Sequence, residues 1–113
     1  FKGYMDYGFM PALAEQAARR GLVAHRFNFS HSGMTRDTAR FERSDLFEHD
    51  TWGRQVEDLR TVAAAARSGA IAGGGLPQAW FGHSRGGVTA LTAATESEAD
   101  GRDAPAAVVT AAT

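Results

Sequence analysis

The sequence predicts an α/β fold with a mostly parallel sheet, and three observations carry that prediction. Segments with apolar residues at helical spacing alternate along the chain with short apolar runs of strand length. The first such helix is joined to the run after it by a very short link at Arg20-Gly21, which is typical of layered α/β chains. Residues 79–91 hold a serine with a glycine two positions away on either side, set between an apolar run and a helix-compatible run.

Residues 1–8 are a glycine-punctuated aromatic segment without a clear period and are expected to form a loop. From about residue 9 to residue 20 a helix is predicted. Phe9, Leu13 and Ala17 fall at helical spacing, Pro11 suits the first turn, and Arg19-Arg20-Gly21 reads as a basic last turn with a C′ glycine. Residues 22–29 read as a strand with Val23, His25, Phe27 and Phe29 on one face. Residues 30–33 are a turn, and the charged stretch to about His49 is a loop. Asp50 or Thr51 can cap a helix running to about Arg67, whose apolar face is Trp52, Val56, Leu59 and Ala63. Ser68-Gly69 ends it, and Gly73-Gly74-Gly75 is expected to be a flexible connector to a strand over residues 78–81. A helix over about residues 85–96, an acidic turn at 98–103 and a buried strand at 106–110 complete the order. Parallel pairing between the strands follows from the alternation.

With 113 residues the chain suffices for one small domain with a modest core. It begins at Phe1 and closes on an apolar run, as expected of the central piece of a longer protein. Twelve basic and thirteen acidic residues leave a formal net charge of −1, which offers nothing to attract nucleic acid or an anionic membrane. There is no cysteine, so disulfides, thiolate metal sites and cysteine nucleophiles are excluded. No apolar run approaches the roughly 18 residues of a membrane span, and a cytoplasmic protein is expected.

The serine-centred stretch has the pattern of a nucleophile elbow, in which the chain leaves a strand, turns sharply at the serine and enters a helix. Such a turn presses the neighbouring residues against the backbone. Gly82 and Gly86 are expected to supply the room, and Gly87 to let the helix approach the sheet. Ser84 would then stand exposed at a helix N-terminus, where amide groups and the helix dipole favour negative charge.

These residues resemble the α/β-hydrolases, and within them the small esterases of the cinnamoyl- and feruloyl-esterase type and the dienelactone-hydrolase-like proteins. Phe1-Lys2-Gly3 is similar to the end of that family's loop after the third strand. Residues 26–33, Arg-Phe-Asn-Phe-Ser-His-Ser-Gly, are similar to the segment after its fourth strand, with Asn28 and Ser32 departing from the usual Asp and Gly. Residues 82–87 are the elbow, and residues 108–113 resemble the sixth strand. The resemblance implies a three-layer sandwich, partial here, and a serine hydrolase that cleaves a small-molecule carboxylic ester without a cofactor. It implies Ser84 as nucleophile and an oxyanion hole made by the backbone N–H groups of Arg85 and Phe1. It also places the triad's acid and histidine after the elbow, yet no histidine follows Ser84 here, so the base is expected outside this stretch.

Plainer readings stand beside these. A non-catalytic α/β domain could keep the elbow as a structural turn, or the stretch could be an inert fragment that lacks the triad's acid and histidine. His83 and Arg85 flank the serine but face away from the attack path in such a turn. His25 reads as a sheet-face residue, His49 beside Asp50 as a helix-start pair, and His31, on a loop after a strand, as a candidate pocket-lining residue. No histidine pair has metal-ligand spacing with a carboxylate, so no metal is expected. Gly73-Gly74-Gly75 lacks the Lys and Ser or Thr of a phosphate-binding loop.

Overall fold

The structure is a computed structural model that describes residues 3–35 and 40–111. It divides into two compact units, Phe1–Arg54 and Gln55–Thr113.

In the first unit, helix α1 spans Met10–Arg19 with proline in its first turn, close to the predicted bounds. Its end follows the glycine signal. Gly21 has φ +85°, its N–H donates to Ala18 O (3.0 Å), and the Leu22 N–H donates to Ala17 O (3.1 Å). These two bonds satisfy carbonyls that the helix itself leaves open. No residue of α1 is buried; on the predicted face, Phe9 and Leu13 are exposed and Ala17 is half-buried.

The predicted strand over residues 22–29 is not formed as a strand. No ladder runs through it, and Leu22 and Val23 are exposed. An alternating apolar pattern creates a face, but a strand exists only where another strand takes its N–H and C=O groups. What this segment does instead is hold the N-terminal loop. Asn28 Oδ1 accepts the Met5 N–H (2.7 Å), and the Arg26 guanidinium donates to Met5 O (2.8 Å) and pairs with Asp6. Phe27 and Phe29 meet edge to face at 5.4 Å.

In the charged stretch up to His49, the described residues carry more regular structure than the expected loop. Met34 and Phe41 form an antiparallel bridge, the Arg43 N–H donates to Gly33 O (3.0 Å), and a short helix α2 spans Ser44–Phe47. Phe41 and Phe47 pack edge to face at 5.3 Å. Asp45 accepts a two-armed bond from Arg43 (3.0 and 2.9 Å), and that hydrogen bond holds its carboxyl at about 2, below the usual carboxylate range. Because the folded-state value is depressed, whatever the pair contributes is present above about pH 4 and fades as pH falls toward 2. We expect an NMR titration to find the Asp45 midpoint near 2, and Arg43→Ala to return it toward the ordinary range. An unchanged midpoint in the variant would refute the pairing.

The second unit is built from α3 (Trp52–Ser68, its first turn preceding the unit), β1 (Ala79–His83), α4 (Arg85–Ala99) and β2 (Ala107–Ala111). Thr51 caps α3, with its Oγ1 accepting the Arg54 N–H (3.2 Å), as one of the two expected caps. The glycine run after α3 is not a slack connector. The Gly75 N–H returns to Arg67 O (3.2 Å), and the Gly74 backbone lies so close to Gly69 that a Cβ there would be 3.0 Å from the Gly69 Cα. α4 ends as α1 does, at Gly101 (φ +66°), with the Gly101 and Arg102 N–H groups donating to Glu98 O (3.2 Å) and Ser97 O (2.8 Å).

β1 and β2 pair in parallel in the register Ala79↔Ala107 to His83↔Ala111, joined through α4. β1 thus begins one residue later and ends two residues later than predicted. Hydrogen bonds from Ala106 N to Gln78 O (2.7 Å) and from Ser84 N to Ala111 O (2.9 Å) continue the ladder at both ends. Trp80, Val108, Gly82 and Thr110 share the face turned to the helices. There Trp80 packs with Val56 and Ala63 of α3 and with Ala90 and Ala93 of α4, flanked by Leu59 and Ala94. The opposite face, carrying Phe81 and Val109, is exposed, so these strands are half-covered rather than buried as expected. Trp52, predicted on the packed face of α3, is 54% exposed, whereas Val56 and Ala63 are buried. The described residues therefore establish a mixed α/β arrangement of helices on a two-stranded parallel sheet. No helix among them is long and apolar enough to cross a membrane.

Candidate active site

The sharpest backbone feature of the second unit is the joint between β1 and α4. Ser84 has φ +53° and ψ −120°, and among the described residues it is the one non-glycine with positive φ. That region costs an L-residue about 1–3 kcal/mol, so the surroundings must impose it. They do so from three sides. The Ser84 N–H is bound to Ala111 O at the end of the β ladder, and the Ser84 carbonyl accepts the Gly87 N–H (3.0 Å). On the third side, the Gly82 backbone presses directly on the opening turn of α4. A Cβ built at Gly82 would lie 2.2 Å from Gly86 O, 2.3 Å from Gly86 C and 2.5 Å from Gly87 N.

Glycine is therefore required at Gly82 by contact with backbone that cannot step aside. Gly87 is also tight, since a Cβ there would approach Gly82 O at 3.2 Å and the Thr110 side chain at 3.3 Å. Gly86 differs from the expectation. A Cβ at that position would meet nothing within 4 Å, so Gly86 contributes its carbonyl to the crowding but needs no room for itself. The space the turn demands lies at the residue two before the serine and the residue three after it.

Ser84 is the N-cap residue of α4, exposed, and its side chain makes no capping hydrogen bond to the helix. The hydroxyl is thus presented at the carboxyl end of a parallel strand and the amino end of a fifteen-residue helix. A negative charge developing there meets the positive end of the helix dipole. Arg85 opens α4, so its backbone N–H is one of the amides at the amino end of the helix. His83 ends β1 opposite Ala111, half-buried and on the strand face away from the helices.

The remaining predicted site residues, Phe1 and His31, fall outside the second unit. Phe1, the expected second oxyanion donor, lies outside the described residues, as do residues 112 and 113 of the sixth-strand resemblance. His31 belongs to the first unit, with its Nδ1 2.9 Å from Ser30 Oγ. Among the described residues no three His, Asp or Glu side chains converge as metal ligands would.

Two residues absent from the sequence-based site sit beneath the elbow. Thr89 and Gln55 are 1% and 5% exposed, and the Thr89 hydroxyl donates to Gln55 Oε1 (2.9 Å) and lies 3.2 Å from Arg85 O. The signal for Gln55 was present: it falls on the stripe of Trp52, Val56 and Leu59, where a polar residue is out of place unless it has a partner. Two clefts, of about 120 and 630 Å³, open at the other end of the strands, near Gln78, Arg102 and Asp103, away from the elbow. The Arg60 guanidinium at the first of these is held by Glu57, Glu96 and Asp100 at 3.3–3.5 Å and serves to tie α3 to the end of α4.

Comparisons of the chain with protein-family models, with curated proteins and with solved structures returned no match in any of the three.

Proposed function

We propose that Ser84 is the nucleophile of a serine hydrolase of the α/β-hydrolase kind, acting on carboxylic esters. The observation that carries this reading is the strained serine, at φ +53° and ψ −120°, held between β1 and α4 with Gly82 against the helix backbone. Strain of this kind at an exposed hydroxyl is what a nucleophile elbow requires, and a merely structural turn would be relieved by glycine there. In this reading β1-α4-β2 belongs to a larger, mostly parallel sheet within a three-layer sandwich, and the protein works in the cytoplasm.

The chemistry is acyl transfer. Ser84 Oγ attacks the ester carbonyl carbon while its proton passes to a histidine base supplied by chain beyond this stretch. The carbonyl oxygen takes the negative charge and is held by the N–H of Arg85 and, by resemblance, that of Phe1. Collapse of the tetrahedral intermediate breaks the C–O bond, and the alcohol leaves with the proton held by the histidine. Water then repeats the sequence on the acyl-enzyme and releases the acid. Loss of one oxyanion donor in such a site costs about 10²–10³ in rate.

The test is covalent. Full-length protein is expected to be labelled by a fluorophosphonate probe, and Ser84→Ala to abolish the label while the protein stays folded. A folded wild-type protein that takes no label would leave the elbow as a structural turn and overturn the reading.

A further inference from the structure

We propose that Thr89, tied to Gln55, is a positioning residue for the Arg85 amide; this rests on Ser84 being the nucleophile. The need for such a residue arises in the turn itself. Arg85 is followed by Gly86 and Gly87, two residues that each weaken a helix by roughly 0.5–1 kcal/mol relative to alanine. Gly86 has no side chain and empty space where one would be, so packing at that position cannot hold the turn.

Hydrogen bonds hold it instead, on both sides of Arg85. The peptide before it is fixed by the Gly87 N–H bound to Ser84 O (3.0 Å). The peptide after it is held by the helical bond from the Thr89 N–H to Arg85 O, and the Thr89 hydroxyl lies 3.2 Å from the same oxygen. The Arg85 N–H lies in the first of these planes, opposite the Ser84 carbonyl, and Thr89 bears on it by keeping the first turn of α4, from which that plane extends, in place against α3. Thr89 does not act alone. Gln55 of α3 stands 2.9 Å from the hydroxyl, both side chains are almost fully buried, and water cannot take the place of either partner. The hydroxyl has one proton and two acceptors within reach. A Gln55 amide turned to present Nε2 would donate to Thr89 Oγ1 and release that proton wholly to Arg85 O. In either orientation α3 is anchored to the first turn of the elbow helix.

The experiment measures fluorophosphonate labelling kinetics of full-length protein, separating the limiting rate from the half-saturating probe concentration. Thr89→Val keeps the shape and removes the hydroxyl, whereas Thr89→Ser keeps the hydroxyl. Gln78→Leu is the control, because it removes a different, partly buried network, in which Gln78 Nε2 donates to Ala63 O (2.8 Å) and Gln78 Oε1 accepts the Trp80 Nε1–H (3.0 Å), away from the elbow. We expect Thr89→Val to lower the limiting rate about tenfold at unchanged half-saturation, Thr89→Ser to restore it, and Gln78→Leu to lower thermal stability without lowering the rate per folded molecule. Wild-type rates in Thr89→Val, or equal losses in Thr89→Val and Gln78→Leu, would overturn the positioning role while leaving Ser84 as nucleophile. Absence of label in folded wild type would instead remove the nucleophile, and the positioning role with it.

Discussion

Gly82→Ala is expected to disrupt the β1–α4 joint, and Gly86→Ala to leave it intact, although both glycines lie two residues from Ser84. At Gly82 the added methyl would stand 2.2–2.5 Å from three backbone atoms of Gly86 and Gly87. Real Cβ atoms do not tolerate such distances, and the obstacle is main chain rather than a side chain that could rotate away. The helix would have to withdraw from the strand, breaking the bond from Gly87 N to Ser84 O and releasing Ser84 from its strained conformation. A loss of about 4 kcal/mol or more is expected, a large share of the roughly 5–15 kcal/mol that stabilises a small domain. Gly86 lies within α4 with open space at its Cβ position and without positive φ. Alanine there should be neutral or stabilising by about 0.5–1 kcal/mol, because it restricts the unfolded chain and favours the helix. Urea denaturation of the two variants side by side is the measurement. Equal effects at the two positions would contradict the crowding geometry.

Trp80→Ala should cost about 3–5 kcal/mol. The indole is the largest side chain in the apolar cluster of the second unit, 7% exposed, and it meets both α3 and α4 from the sheet. Its removal leaves a cavity bordered by Val56, Ala63, Ala90 and Ala93, of which the alanines cannot expand to fill it. It also strips Gln78 Oε1 of the indole N–H. The chain contains two tryptophans, and the exposed Trp52 provides an internal contrast. Trp52→Ala is expected to shift the urea midpoint little. The fluorescence of Trp80 alone, in a Trp52→Phe background, should be blue-shifted and move red on unfolding. A solvent-like spectrum from Trp80 in the folded protein would refute its burial.

Much of this arrangement was legible in the residues before any coordinates. Helices α1 and α3 announced themselves by apolar spacing and by the glycines and capping threonine at their ends, and α4 by the helix-compatible run after the serine, all of which are features within a few residues along the chain. The strand–serine–helix joint was equally local. Where the reading failed, the missing information was a partner. Residues 22–29 have the alternation of a strand, but alternation does not create a neighbour, and the segment spends its polar groups on Met5 and Asp6 instead. Trp52 has the spacing of the packed face of α3 and yet remains exposed, because burial depends on where the opposing surface stops.

The elbow divides along the same line. Turn chemistry is written in adjacent residues, so a serine between a strand and a helix with glycines around it could be read from the chain. Which glycine is indispensable depends on packing in three dimensions, because the crowding at Gly82 comes from α4 folding back across β1, and Gly86 lacks that contact. Packing also places Thr89 and Gln55, 34 positions apart in the chain, at hydrogen-bond distance beneath Arg85. A buried hydrogen bond between two helices depends on their relative placement, which no local pattern specifies.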